Sequence, residues 1–289
     1  MAKMPTNMAK SVKERLLRIA RKEGRLFDVL LVQYALERLL FRLSISEHCD
    51  RFVLKGGMLV TVWVEDNNRV TRDADFLGHG DPDPEGLAAA FRKIMEIESG
   101  DGLVFDLDAL AATAIREEME YGGTRLKTAA YLERTRIPVT IDIGFGDAMA
   151  DATQRLDYPT LLDLPAPNVR VYPPATVIAE KFQAMVALGI LNGRMKDYYD
   201  LWSIPRSLDI RAEDLDAAII ATFERRQTAI PTERPPGLSA DMFDDEVKQR
   251  QWRAYAASIE LENVSLKSII EDVWELVGLS CARILADAE

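Results

Sequence analysis

The sequence has few of the side chains that cross-link small folds. Two cysteines, Cys49 and Cys281, and two histidines, His48 and His79, occur in 289 residues, and the cysteines form no CxxC pair. A structural zinc site would therefore have too few ligands, and disulfide bonds are not expected. The chain is long enough to be held together by a hydrophobic core instead.

Long apolar runs and an excess of positive charge are also missing. No stretch approaches the roughly 18 apolar residues of a membrane span, and the basic N-terminus lacks the apolar core of a signal peptide. We therefore expect a cytoplasmic protein with no membrane partner. The net charge of -11 argues against nonspecific coating of nucleic acid, because that activity needs a surplus of cations.

Positive charge is nevertheless concentrated locally. Cationic residues cluster in residues 10–25, in residues 125–136, and at Arg194 with Lys196. A solvated helix face or loop accounts for each cluster without any function. A phosphate backbone would need such local cations even on an acidic protein, so residues 10–25 and 125–136 are also candidate contacts to a nucleic acid.

The apolar pattern predicts an α+β fold with two lobes. Helical spacing covers residues 8–46 with a break near Gly24, and 58–64 reads as a short buried helix. Strand patterns cover 52–54, 71–77, 103–107, 125–132 and 137–143. A proline-rich stretch, 147–174, precedes a mostly helical remainder. We place the boundary so that residues 1–165 form a mixed α/β lobe, with 8–46 as leading helices, and 166–289 form a helical lobe.

Two aspartates on one predicted strand are candidate metal ligands. Side chains alternate along a strand, so Asp73 and Asp75 project to the same side with α-carbons about 7 Å apart. Such a pair can share divalent cations, and Mg²⁺ is the expected ion. The alternative is an exposed turn in which both acids are merely hydrated.

The pair Gly56-Gly57 lies between a predicted strand and a predicted helix. Glycine lets the backbone approach a triphosphate, and the amides at the helix N-terminus would face the anion. Most Gly-Gly pairs are only turns. The order of strand, Gly-Gly, helix, turn and acidic strand is more specific than any one part.

Asp142 lies in a later apolar strand, between Ile141 and Ile143. It is a third metal ligand or catalytic base if it faces the other two aspartates, because a buried unpaired acid is costly. It is an ordinary outward residue if that strand lies at a sheet edge.

The helical half contains a second set of charged residues. Lys181 lies on a predicted helix, where a compact cation can contact a β- or γ-phosphate. Asp197 and Asp200 follow one helical turn apart and therefore share a face. Arg194 could bridge to one of these carboxylates or to a phosphate, or form a surface ion pair.

Taken in order, these segments resemble the AbiEii/AbiGii family of nucleotidyltransferase toxins. The resemblance runs from about Phe52 to Trp202, through the segments FVLKGGMLV, RVTRDADF, IDI, AEKF and RMKDYYDLW. It implies a polymerase-β-like nucleotidyltransferase lobe with a mixed sheet, followed by an all-helical C-terminal lobe.

The resemblance also implies roles for individual residues. Gly56 and Gly57 would form the phosphate turn, Asp73 and Asp75 would bind metal, and Lys181 would contact the triphosphate. Arg194 with Asp200 would form the last motif, in which Asp197 competes with Asp200.

The implied activity is transfer of a nucleotide from an NTP, often a pyrimidine, to the 3′ end of tRNA, restrained by a cognate antitoxin. One alternative is a nucleotidyltransferase that modifies a protein or a small molecule. Another is a module that binds nucleotide or a partner without catalysis.

Overall fold

A computed structural model describes residues 7–64, 68–115, 122–147 and 154–287. Within it the chain forms two compact units. The first comprises Met1–Val62, Val70–Gly146 and Gln154–Val171, and the second comprises Trp63–Arg69, Asp147–Thr153 and Tyr172–Glu289. The turn expected between the short buried helix and the acidic strand falls at residues 66–68, which lie largely outside the described residues. The predicted division between residues 165 and 166 stays a prediction.

The first unit begins with two helices, α1 (Met8–Glu23) and α2 (Phe27–Ser44). The Asn7 side chain accepts a hydrogen bond from the backbone N–H of Lys10 and so caps the start of α1. Gly24 ends α1 with a φ of 69°, a left-handed conformation that glycine adopts without strain. The predicted break near Gly24 is confirmed.

The sheet of the first unit has eight strands in the described part of the chain. They are β1 (Phe52–Lys55), β2 (Ala74–Gly78), β3 (Leu103–Phe105), β4 (Ala111–Ile115), β5 (Gly123–Leu132), β6 (Thr135–Phe145), β7 (Gln154–Asp157) and β8 (Asn168–Val171). The order is β3-β5-β6-β2-β1-β8-β7, and β4 also pairs with β5. The pairs β2–β6 and β1–β8 are parallel and the other pairs are antiparallel, so the sheet is mixed as predicted.

Apolar residues cover one face of this sheet. Helix α2 contacts β6, and α4 (Pro84–Glu96) contacts α2. Phe52, Phe76 and Phe91 form a buried aromatic cluster with ring centroids 4.9–6.2 Å apart. Burial of these large rings stabilises this face.

A buried polar network joins α2 to two loops of the first unit. Arg42 donates to both carboxylate oxygens of Asp101, at 2.6 and 3.1 Å, and Arg38 also pairs with Asp101. Glu37 accepts a hydrogen bond from the backbone N–H of Leu161 at 2.7 Å. Burial raises the pKa of Glu37 to about 7, against the opposing effects of the Leu161 hydrogen bond and Arg38.

Three strands were not predicted, and one predicted strand begins later in the sequence than expected. Strand β4 is mostly alanine and gives little strand signal, while β7 and β8 are four-residue strands within the proline-rich stretch. Strand β2 begins at Ala74 rather than residue 71, so Asp73 immediately precedes it. Helix α3 (Gly57–Val64) matches its predicted position.

The second unit is helical in its described residues. It contains α5 (Pro174–Leu188), α6 (Met195–Ser207), α7 (Ala212–Arg225), α8 (Ala240–Phe243), α9 (Glu246–Ser258) and α10 (Leu266–Asp287). Two short 3₁₀ helices, Gly189–Leu191 and Pro236–Leu238, complete it. The segment from Ala240 to Ser258 is divided into α8 and α9, because Asp245 is extended and caps a new helix by accepting from the backbone N–H of Lys248.

One helical segment, Pro174–Leu191, is long and apolar enough to cross a membrane by length and composition. Half of it is buried inside the folded chain, where α5 packs against α6 and α7. A core helix of a soluble protein has the same properties.

Candidate active site

Three carboxylates converge on the sheet of the first unit. Asp73 immediately precedes β2, Asp75 lies within it, and Asp142 lies on β6. Because β2 and β6 are parallel neighbours, Asp75 stands directly opposite Asp142. One oxygen of each carboxylate lies within 4.8 Å of the other two, and all three residues are half-buried. Oxygen ligands at this spacing suit a hard divalent cation.

The contacts of Asp73 and Asp75 orient both carboxylates. Thr71 Oγ1 donates to Asp73 Oδ1 at 2.6 Å. The backbone N–H of Gly57 points to Asp75 Oδ2 at 3.5 Å, a long hydrogen bond. The amides that open α3 therefore lie beside the acidic cluster, as the order of motifs suggested.

Gly56 packs directly against Asp75. Its φ is +67°, and a β-carbon built on it would lie 2.2 Å from Asp75 Oδ2. Any side chain at this position would therefore displace the carboxylate as well as strain the backbone. The glycine corner and the acidic strand thus form one local structure.

Asp142 has a cationic partner on the neighbouring strand. Arg125 on β5 stands opposite Asp142, and its guanidinium donates to both carboxylate oxygens at 2.7 and 2.6 Å. The hydrogen bonds to Asp142 raise the pKa of Arg125 above its usual value, assisted by the charges of Asp73 and Asp75. Strand β6 is an interior strand, so the alternative of an outward residue at a sheet edge is wrong for Asp142.

The second unit contains a buried charge cluster around Lys181. Lys181 Nζ donates to Asp197 Oδ1 and pairs with Asp200 Oδ2 at 2.9 Å. Arg69 donates to both oxygens of Asp200, at 2.7 and 2.8 Å. The side chains of Arg69 and Asp200 are no more than 1% exposed. Two cations therefore balance two carboxylates in a largely buried cluster, in which Lys181 keeps 13% of its side chain exposed.

These pairings keep Lys181 and Asp200 ionised. Burial alone would lower the pKa of Lys181, but the charges of Asp200 and Asp197 raise it above its usual value. Burial would raise the pKa of Asp200, but Lys181 and Arg69 hold it below its usual value. Both Asp197 and Asp200 contact Lys181, so the geometry does not single out one of them.

The structure brings most of the predicted residues into two groups. Gly56, Gly57, Asp73, Asp75 and Asp142 lie together in the first unit, and Lys181, Asp197 and Asp200 lie together in the second. Arg194 is exposed, and its guanidinium forms no ion pair with the residues that the structure describes.

Sequence reasoning missed the partners Arg69 and Thr71, and it treated Arg125 only as part of a basic cluster. An arginine two residues before Thr71 gives no signal of burial. The pairing of Arg125 with Asp142 depends on strand register, which the sequence does not reveal.

Comparison with known proteins identifies the family. The model of the AbiEii family, described as the nucleotidyl transferase AbiEii toxin of a type IV toxin–antitoxin system, matches residues 38–277. The chain belongs to this family. It is a nucleotidyltransferase, and membership in a toxin–antitoxin family implies a nucleotide substrate and an antitoxin partner.

Two solved structures from Helicobacter pylori are similar to the chain. The crystal structure of JHP933 is 13% identical, with a TM-score of 0.47, over 90% of this chain and 94% of that one. A protein described as a candidate nucleotidyltransferase is 11% identical, with a TM-score of 0.46, over 89% of this chain and 96% of that one. No curated protein matches the sequence.

Proposed function

We propose that this chain is a magnesium-dependent toxin that transfers a nucleotide from an NTP to the 3′ end of an RNA, with tRNA as the acceptor. The observation that supports it most is the convergence of Asp73, Asp75 and Asp142 within 4.8 Å beside the Gly56-Gly57 corner. The proposal includes a polymerase-β-like nucleotidyltransferase lobe followed by a helical C-terminal lobe. It also includes a cytoplasmic location, where NTPs and tRNA are available.

The donor set fits Mg²⁺. The cluster offers three carboxylates and no nitrogen or sulfur ligand among the described residues, and carboxylate oxygens are the ligands Mg²⁺ prefers. Asp73, Asp75 and Asp142 would hold the ion or ions. When bound, the metal would activate the attacking hydroxyl and neutralise charge on the leaving pyrophosphate.

The reaction exchanges a phosphoanhydride bond of the NTP for a phosphodiester bond to the acceptor. The acceptor 3′-oxygen forms a bond to the α-phosphorus of the NTP, and the bond from that phosphorus to the bridging oxygen breaks. The electron pair leaves with pyrophosphate, and the hydroxyl proton passes to a carboxylate of the cluster or to water.

Residues of this chain would position the triphosphate and neutralise part of its charge. The amides that open α3 beside Gly57 would face the triphosphate. The family resemblance supports Lys181 as a further phosphate contact, with Arg194, Asp197 and Asp200 as nucleotide-binding residues. Lys181 carries its charge for this purpose because Asp197 and Asp200 keep it protonated.

The test is a labelling experiment with purified full-length protein. Wild type, Asp75→Asn and the exposed control Asp108→Asn are each incubated with Mg²⁺, one of four α-labelled NTPs and total small RNA. We expect wild type and Asp108→Asn to label RNA, with CTP or UTP preferred, and sequencing of 3′ ends to show extended tRNA. Asp75→Asn should label nothing, because it lacks one charge of the cluster.

Other outcomes point to the competing functions. Label in protein or in small molecules would assign a different acceptor to the same chemistry. NTP binding without turnover at any Mg²⁺ concentration would make the chain a binding module. Transfer by wild type in the presence of a chelator would contradict metal dependence.

A further inference from the structure

The strand pair β5–β6 has one face that continues from the acidic cluster. The pair is antiparallel and in continuous register from Thr124, opposite Ile143, to Leu132, opposite Thr135. Arg125 contacts Asp142, which fixes the face on which both side chains lie. Because side chains alternate along a strand, Lys127 and Tyr131 project to this same face.

Residues of β6 complete a row on that face. Arg136 stands opposite Tyr131, and Thr140 stands opposite Lys127. Directly opposed residues of an antiparallel pair share a face, so Arg136 and Tyr131 are neighbours there. The other face of the pair is apolar and buried; its residues on β6 are Ile137, Val139, Ile141 and Ile143.

The cations of this row are available to a partner. Lys127 and Arg136 are exposed, and neither forms an ion pair with any residue in the described ranges. Arg125 keeps 39% of its side chain exposed while it holds Asp142. On a chain of net charge -11, cations aligned beside an acidic cluster point to an anionic partner.

The spacing of the row fits one strand of nucleic acid. Arg125 and Lys127 are two residues apart on β5 and therefore about 7 Å apart, which is close to the separation of phosphates in an extended single strand. Tyr131 and its neighbour Arg136 lie four residues beyond Lys127, at about twice that distance. Tyr131 adds an aromatic ring, and single-stranded RNA is bound by cations along its backbone together with aromatic rings that stack on bases. The row is two strands wide, whereas recognition of a duplex requires contacts that span successive grooves.

We propose that Arg125, Lys127, Tyr131 and Arg136 bind the single-stranded 3′ end of the acceptor RNA. Lys127 and Arg136 contact phosphates and Tyr131 stacks on a base. Arg125 lies at the end of the row where the terminal hydroxyl meets Asp73, Asp75 and Asp142. This inference rests on the proposed RNA acceptor and adds the path by which the RNA reaches the carboxylates.

The test measures RNA binding without catalysis. Full-length Asp75→Asn protein is titrated against a fluorescent single-stranded oligoribonucleotide of about eight nucleotides, within the range of known single-strand sites. The row variant carries two further substitutions, Lys127→Glu and Arg136→Glu, in this Asp75→Asn protein. The matched control is Arg250→Glu with Arg253→Glu on α9, which are exposed and change the net charge equally.

We expect the row variant to bind at least about tenfold more weakly and to show a smaller salt dependence, whereas the control should change less than about twofold. Tyr131→Ala should weaken binding at least about fivefold, and Tyr131→Phe should preserve it because the ring is retained. A 4-thiouridine near the 3′ end should crosslink to the β5–β6 row.

Two results would overturn the inference in different ways. Two findings would place the acceptor elsewhere while leaving the proposed function intact. One is equal RNA binding by the row variant, and the other is loss of binding only in a Lys10→Glu, Lys22→Glu variant of α1. If the Asp75→Asn protein binds no RNA at all, the proposed RNA acceptor fails and this inference fails with it.

Discussion

Arg125 and Asp142 stand opposite each other on β5 and β6, and the guanidinium donates to both oxygens of the carboxylate at 2.7 and 2.6 Å. Asp142 is also one of the three carboxylates that converge within 4.8 Å. Asp142 is therefore paired with an arginine and also positioned to bind a cation. The positive charge of Arg125 would repel a cation bound at the cluster.

Arg125→Gln should consequently increase the affinity of the cluster for divalent ions. Removing a positive charge near the site should contribute about 1 kcal/mol, or several-fold in affinity. Titration with Mn²⁺, followed by electron paramagnetic resonance of the free ion, measures the change directly. Lys93→Gln removes an equally sized charge at an exposed site and should leave the affinity unaltered. Weaker Mn²⁺ binding by Arg125→Gln would instead show that the arginine's main role is to hold Asp142 in place.

Gly56→Ala should impair transfer more than its backbone strain alone explains. The new β-carbon would overlap Asp75 Oδ2, at 2.2 Å. Gly24→Ala is a matched control, because Gly24 has a φ of +69° and nothing within 4 Å of its β-carbon position. The left-handed backbone should cost both variants about 1–2 kcal/mol of unfolding free energy, but only Gly56→Ala should also lose nucleotide transfer. Equal activity of the two variants would show that Asp75 tolerates displacement.

Arg69→Ala should strongly destabilise the protein. It leaves Asp200 buried with only Lys181 as a charged partner among the contacts described, and breaking a buried pair typically costs about 3–5 kcal/mol. Arg206→Ala removes an exposed pair with Asp272 and should cost no more than about 1 kcal/mol. Urea unfolding of both variants tests this, and similar costs would contradict the importance of the Arg69–Asp200 pair.

Glu37 should make stability depend on pH. Its pKa is about 7 in the folded protein against an ordinary value of 4.5, so the folded state retains a proton that the unfolded state loses between these values. The free energy of unfolding should therefore fall as pH rises from about 4.5 to about 7, by up to about 1.4 kcal/mol per pH unit. Above pH 7 this contribution is lost.

Glu37→Gln should reduce that slope, because an amide does not titrate. Denaturant unfolding at several pH values between 5 and 8 measures the slope, and the exposed substitution Glu246→Gln should leave it as in wild type. An unchanged slope in Glu37→Gln would mean that Arg38 keeps Glu37 ionised throughout.

Local signals in the sequence predicted much of the fold and part of the site. The spacing of Asp73 and Asp75, the Gly-Gly corner and the helical turn from Asp197 to Asp200 are short-range patterns, and the structure contains each of them. Asp73 precedes its strand rather than lying in it, yet it still joins Asp75.

Features that depend on long-range pairing were not predictable in the same way. Asp142 meets Asp75 only because β6 pairs in parallel with β2, and the two residues are far apart in the sequence. Arg69 meets Asp200 through tertiary packing, and an arginine is ordinarily expected at the surface. The strand β4 was missed because alanine packs too little surface to give a strand pattern.

The two units are interleaved along the chain, since each is assembled from three separate stretches. A single cut in the chain therefore cannot separate one complete unit from the other. A fragment that ended at residue 165 would carry Arg69 without Asp200, leaving a guanidinium that the intact protein buries with no carboxylate to receive it. Attempts to halve this enzyme, whether by proteolysis or by split expression, should yield insoluble pieces that regain structure only when both are supplied together.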